Sequence, residues 1–183
     1  TTAPKIFSIS LKNVNEAPSN LSLAGGIVAE NSVAGTIVGT LAGVDPDAAS
    51  ILSYSLVDNA GGRFVVNAKT GVITVNRRAV LDYEKTASLN ITARVTDQTG
   101  LSLDKIININ LTNVNEAPTS LLLSGNKVSE NASAGTVIGS LSGVDPDGAS
   151  VLTYSLIDDA GGRFVVDGAT GALSVTAGAV LDY

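Results

Sequence analysis

The 183-residue chain carries 11 Lys and Arg against 17 Asp and Glu, a net charge of −6, and it contains no Cys, His, Met or Trp. Without thiol or imidazole there is no Cys nucleophile, no Ser-His-Asp triad and no ordinary zinc, haem or iron–sulfur ligand set. The acidic balance and the scattered basic residues, with Arg77-Arg78 the one adjacent pair, disfavour nucleic acid, and seven aromatics are a poor supply for a sugar cleft.

From the N-terminus the hydrophobic period is two. Phe7, Ile9 and Leu11 alternate with Ser8 and Ser10, which predicts a half-buried antiparallel strand. Further strands are expected at Thr36 to Leu41, Ile51 to Val57, Phe64 to Val66 and Val72 to Val75, separated by turn signals at Asp45-Pro46-Asp47, Gly61-Gly62 and Thr70-Gly71. Tyr54 and Tyr154 fall in alternating segments and are expected at least half in the core. Leu89, Ile91, Ala93 and Val95 alternate with Asn90, Thr92 and Arg94, and Ile107, Ile109 and Leu111 alternate with Asn108 and Asn110. No segment shows a helical period, and no apolar run approaches the ~18 to 20 residues of a membrane span. No charged-then-apolar signal pattern opens the chain, so an export signal or anchor is expected outside it.

The hexapeptide Asn-Val-Asn-Glu-Ala-Pro stands at 13 to 18 and again at 113 to 118, a period of 100 residues. Residues 19 to 83 align with 119 to 183 without a gap, and 38 of those 65 positions are identical. A unit of that size is one domain, and about seven strands within it form the pattern of an immunoglobulin-like β-sandwich in an all-β fold. The expected organisation is the last strand and linker of a preceding repeat at 1–18, a complete repeat with its linker at 19–118, and a repeat lacking its last two strands at 119–183. The missing strands are expected either in sequence beyond this chain or from a neighbouring chain.

The repeat also sorts the acids. Of the 17 carboxylates, 12 sit in motifs that belong to the repeating unit: Glu16 and Glu116, Glu30 and Glu130, Asp45-Pro46-Asp47 and Asp145-Pro146-Asp147, Asp82-Tyr83-Glu84 and Asp182, and Asp97. Charge that only solubilises a surface drifts between copies, as at Lys69 against Ala169. Taken singly, Asp-Pro-Asp is a turn, Glu30 a solvated strand end and Asn-Glu-Ala-Pro a spacer. Their recurrence in order points to metal.

Ala29-Glu30-Asn31, Ala34-Gly35-Thr36, Asp45-Pro46-Asp47, Phe64 with Thr70-Gly71, Leu81-Asp82-Tyr83-Glu84, Ala93 to Asp97 and Asn113 to Pro118 stand in the order found in cadherin repeats. The chain resembles that family along essentially its whole length, and looks most like the cadherin-like repeats of large bacterial surface proteins. The resemblance implies Ca²⁺ bound between consecutive repeats. At 113 to 118 the implied ligands are Glu30, Asp82 and Glu84 from the upper repeat, Asn115 and Glu116 in the linker, and Asp145 and Asp147 from the lower repeat. At 13 to 18 they are Asn15, Glu16, Asp45, Asp47 and Asp97; Glu130 and Asp182 belong to a third junction. Such a set suits a hard cation taking six to eight oxygens at about 2.3 to 2.6 Å. The linker departs from the family's Asp-x-Asn-Asp-Asn-x-Pro: it begins with Asn113, is one residue shorter and has a single acid, Glu116. The segment Gly148-Ala149-Ser150 is also shorter than the family pattern. Arg94, three residues before Asp97, offers an alternative internal ion pair for that carboxylate.

The expected function is a calcium-rigidified extracellular stalk or adhesive segment of a secreted or cell-surface protein, not an enzyme. Its expected partners are calcium, adjacent repeats, and surface glycans or another copy of itself, with no membrane contact in this segment. Two alternatives stay open: a calcium-dependent carbohydrate-binding module, and a filament or surface-layer subunit joined by strand exchange.

Overall fold

The computed structural model describes residues 3–148 and 150–182, so the outer ends of the first and last expected repeats and Ala149 lie outside the described residues. Two compact units, Thr1–Val114 and Asn115–Tyr183, divide inside the repeated hexapeptide. All regular structure among the described residues is β-strand.

The first unit holds eight strands: β1 (Asn20–Gly25), β2 (Ile27–Ala29), β3 (Ile37–Val44), β4 (Ser53–Asp58), β5 (Phe64–Val66), β6 (Val72–Val75), β7 (Ser88–Thr96) and β8 (Ser102–Thr112). They make two four-stranded sheets, ordered β1-β3-β6-β5 and β2-β8-β7-β4. Alternation, with a register shift in β3 between Ile37 and Gly39, places Leu21, Val38, Leu41, Phe64, Ile73 and Val75 on the inner face of one sheet. Val28, Ile91, Ala93, Val95, Ile109 and Leu111 meet them from the other, and all twelve are buried. Each large aliphatic or aromatic side chain so removed from water contributes about 1.5–3 kcal/mol.

β1 and β2 are one run of chain that changes sheets at Gly25-Gly26. Both glycines have positive φ, +100° and +88°, and a Cβ on Gly25 would lie 2.8 Å from the Val38 carbonyl oxygen. Gly26 then bonds both sheets, its N–H donating to Val38 O at 2.9 Å and its carbonyl accepting Asn110 N at 2.9 Å. This crossing carries the chain directly to Glu30.

The strands expected at Phe64–Val66 and Val72–Val75 are found with those bounds. The expected strand at 36–41 starts one residue later and runs on to Val44; the one at 51–57 begins at Ser53. β1 and β2, on either side of the Gly25-Gly26 crossing, are strands that alternation did not mark. β8 has the expected alternation and is antiparallel to β7, but it is parallel to β2 on its other edge.

One expected strand is overturned. Phe7, Ile9 and Leu11 lie in irregular chain and are 81%, 89% and 94% exposed. The same pattern at 107–111 becomes a strand because β7 and β2 hydrogen-bond both its edges. Alternation without an edge to pair with leaves backbone groups solvated and forms no ladder.

Among its described residues the second unit, expected as a repeat lacking its last two strands, has β9 (Ser120–Leu123), β10 (Val137–Val144), β11 (Phe164–Val166) and β12 (Ala172–Val175), ordered β9-β10-β12-β11. Residues 151–156, the counterpart of β4 and its approach, form no strand; in the first unit β4 is paired by β7. The core is correspondingly thin. Leu121 is 61% exposed where Leu21 is 0%, and Phe164 is half-buried where Phe64 is fully so. Tyr54 and Tyr154 are half-buried as expected, each hydroxyl oxygen accepting an N–H at 3.1 Å, from Gly43 and Gly143.

Candidate metal centre

Three carboxylates converge at one end of the first unit. Glu30, immediately after β2, is 2% exposed. Burying an ionised carboxylate is costly unless donors surround it. Here Oε2 accepts the Tyr83 N–H at 2.7 Å and Oε1 accepts the Val114 N–H at 2.9 Å. The backbone is pinned on both sides, Glu30 N to Thr112 O at 3.0 Å and Asn31 N to Leu81 O at 3.1 Å. These bonds bring the segments at 30, 82–84 and 112–114 together. Glu30, Asp82 and Glu84 each place one oxygen within 4.8 Å of the others, a spacing at which like charges repel unless a cation joins them.

Two residues, Lys85 and Asn113, donate to the less buried members of this cluster. Lys85 Nζ lies 2.7 Å from Asp82 Oδ2 and Lys85 N donates to Asp82 Oδ1 at 2.9 Å. The side-chain contact holds the Asp82 carboxyl below its ordinary range and raises the Lys85 ammonium. Asn113 Nδ2 donates to Glu84 Oε1 at 3.2 Å.

A second group surrounds the hexapeptide at 13 to 18, within the same unit. Asp97, at the end of β7, is buried, and its Oδ1 accepts N–H bonds from Thr99, Gly100 and Leu101 at 2.8, 2.8 and 3.0 Å. Thr99 Oγ1 donates to the same oxygen at 2.9 Å, and Asn15 Nδ2 donates to Oδ2 at 2.7 Å. Asp47 Oδ2 accepts Glu16 N at 2.8 Å, and Asn13 Nδ2 donates to Asp47 Oδ1. Asp45 Oδ1 accepts Asp47 N and Ser50 Oγ, both at 2.9 Å, whereas Asp45 Oδ2 is buried with no hydrogen-bond partner. Among the described residues, no three carboxylates of Glu16, Asp45, Asp47 and Asp97 converge as closely as the first cluster does.

The second unit repeats part of this arrangement by itself. Asp145 Oδ1 accepts Asp147 N at 3.0 Å, Asp147 Oδ2 accepts Glu116 N at 2.7 Å, and Asn115 Nδ2 donates to the Glu116 carbonyl at 2.9 Å. Glu130 and Asp182, by contrast, are exposed.

The alternative ion pair for Asp97 is overturned. Arg94 points to the opposite face of β7 and grips Asp104 on β8 with two bonds, 2.6 and 2.8 Å. Asp97 is left to the linker. Sequence reasoning did not single out Asn13, Thr99 or Lys85; the one signal for Asn13 is that it recurs unchanged as Asn113.

The Asn15 amide, followed by the Thr99 donors, depresses the Asp97 carboxyl to about 2, against about 3.9 for an ordinary Asp. A carboxyl lowered in the folded state contributes stability that is present above about pH 4 and is lost as pH falls through about 2. In the metal-free chain the Thr99 and Gly100 amide resonances are therefore expected to titrate with a midpoint near 2. Thermal melts should lose stability between pH 4 and 2, and Asp97→Asn should flatten that slope. An ordinary midpoint near 4 would refute the docking of Asn15.

Residues 26–112 match the Cadherin domain family. That segment is a cadherin domain. The match begins at the glycine crossing and takes in Glu30, Asp82, Glu84 and Asp97. Along more of the chain, Cadherin-23 of Rattus norvegicus is 30% identical over 175 residues, covering 85% of this chain and 5% of that protein. Cadherin-related family member 1 of Gallus gallus is 28% identical over 189 residues, covering 99% of this chain and 21% of that protein. The chain thus spans a small part of these relatives. Among solved structures, mouse cadherin-23 EC22-24 is 27% identical with a TM-score of 0.63, covering 86% of this chain and 51% of that one. Human protocadherin-24 EC1-2, at 20% identity and a TM-score of 0.71, covers 93% and 81% and bears on the fold alone. The cadherin family that this segment matches consists of adhesion proteins and not of enzymes.

Proposed function

We propose that the chain is a segment of a calcium-stiffened array of cadherin-type repeats that serves adhesion or spacing at a cell surface. The observation that carries this reading is the convergence of buried Glu30 with Asp82 and Glu84 beside the start of the 113 to 118 linker. The donor set fits a hard divalent cation. At the Glu30 cluster it consists of carboxylate oxygens, and in the separate group around 13 to 18 one buried oxygen of Asp45 has no hydrogen-bond partner.

Glu30, Asp82 and Glu84 would hold the ion from the first repeat, Asn115 and Glu116 from the linker, and Asp145 and Asp147 from the second repeat. Asn15, Glu16, Asp45, Asp47 and Asp97 would serve the linker at 13 to 18. Calcium, when bound, supplies the positive charge that lets these acids share one small volume. The chain's own part is to hold each carboxylate in place beforehand: backbone N–H groups fix Glu30, and the turn after β7 fixes Asp97. At a calcium concentration 100 times the dissociation constant, one site adds about 2.7 kcal/mol to the ordered form.

Small-angle scattering of the chain at about 10 mM calcium, where sites with dissociation constants near 0.1 mM are about 100-fold saturated, and then in chelator, tests the reading. A stiff, extended particle is expected with calcium and a flexible one without, and the Asp145→Asn/Asp147→Asn variant should resemble the chelated chain in both. A maximum dimension and melting temperature indifferent to calcium would sink it.

A further inference from the structure

We propose that Lys85 is a built-in competitor for the cation at the Glu30, Asp82 and Glu84 cluster and sets the affinity of that cluster for divalent metal. The inference rests on the calcium reading above. Lys85 engages both oxygens of Asp82 at once, through its backbone N–H at 2.9 Å and its ammonium at 2.7 Å. The turn is closed behind it by Thr86 N donating to the Asp82 carbonyl at 3.2 Å, which keeps residue 85 within reach of the carboxylate. A divalent ion approaching Asp82 therefore meets an oxygen already occupied by a positive charge of the same chain.

The ammonium is a weak occupant. Its side chain is 79% exposed, and an exposed ion pair of this kind contributes little because water screens it. It neutralises one of three converging charges, so a divalent ion with a stronger field displaces it. Two consequences follow for the site. Without metal, Lys85 relieves part of the repulsion among Asp82, Glu84 and Glu30 and keeps the turn at 82–86 closed. With metal, the ammonium gives up its hold on the Asp82 carboxylate and stays tethered close to a doubly charged ion. Both effects raise the calcium concentration needed for occupancy, and together they amount to about a 3- to 10-fold weakening at low salt. The cluster is thereby tuned to respond where calcium is plentiful.

The test is a calcium titration of the ¹⁵N-labelled 183-residue chain, read at the Tyr83 amide, which donates to Glu30 and reports the cluster locally. Wild type, Lys85→Met, Lys85→Gln and Lys69→Met are compared; Lys69 lies in the exposed turn before β6, so its change removes the same charge elsewhere. Lys85→Met and Lys85→Gln are expected to lower the half-saturating calcium concentration about 3- to 10-fold, with Lys69→Met within about 2-fold of wild type. Equal shifts at positions 85 and 69 would reduce the effect to net charge and overturn the proposal, as would no shift at 85. A Tyr83 amide that ignores calcium in every variant would overturn the calcium reading itself, and the role of Lys85 with it.

Discussion

Phe64→Ala is expected to destabilise the first unit by about 3–5 kcal/mol, the largest single effect of any substitution in its core. Phe64 is fully buried at the start of β5, opposite Val75 of β6, and its ring fills the space between the two sheets where Leu41, Ile73 and Ile91 are also buried. Truncation removes the transfer energy of the ring and leaves a cavity that a β-sandwich, fixed by its ladders, collapses into poorly. Against a usual total of about 5–15 kcal/mol, a loss of that size removes a large share of the unit's stability. The matching change in the second unit, Phe164→Ala, should cost clearly less, because Phe164 is only half-buried and the sheet beneath it has one fully buried large apolar side chain, Val175, among the described residues. Native-state hydrogen exchange separates the two. Phe64→Ala should accelerate exchange throughout β3, β6 and β7, whereas Phe164→Ala should act on β10 and β12 alone. Equal costs at the two positions would contradict the contrast in their burial.

That contrast also explains which parts of the structure were legible in the sequence. Phe64–Val66, Val72–Val75 and the strand around Ile91 follow from period-two alternation between turn signals, because each is paired in a sheet that buries one of its faces. Alternation states what a segment would do with a partner and says nothing of whether the partner is there. Phe7 to Leu11 and Ile107 to Leu111 carry nearly the same pattern, and only the second is a strand, held between β7 and β2. Alternation marked no strand at 20–29, where Gly25-Gly26, with positive φ at both residues, lets the chain pass from one sheet to the other and deliver Glu30 to the cluster. Of the candidate site, most carboxylates were readable because they recur in both copies, with Glu84 and Asp97 occurring once in the same ordered set of motifs. Their fixation was not. The bonds that position them come from backbone N–H groups of Tyr83, Val114, Thr99 and Gly100 and from the side chains of Asn13, Thr99 and Lys85. Backbone donors leave no trace in residue identity, and a lone lysine three positions after an aspartate looks like any surface pair.

Glu30→Ala should lower stability by about 1–3 kcal/mol in chelator and remove the stabilisation by calcium as well. The first part comes from the N–H groups of Tyr83 and Val114, which lose their acceptor at a part-buried position; an unsatisfied donor there costs more than the bond itself was contributing. The second comes from the ligand set, because without Glu30 the remaining pair, Asp82 and Glu84, is more exposed and has less reason to gather around an ion. If wild type gains about 2.7 kcal/mol at 100 times its dissociation constant, the difference between wild type and variant should widen by up to that amount when chelator is replaced by calcium. Glu130→Ala is the internal control. Glu130 occupies the matching position in the second unit but is exposed, so its loss should change stability by less than about 0.5 kcal/mol. Paired melts in chelator and in calcium distinguish a structural role from a metal-binding one: a deficit of the same size in both would confine Glu30 to fixing the backbone at 83 and 114. A deficit that grows with calcium is the result required if the buried carboxylate is held there for the ion.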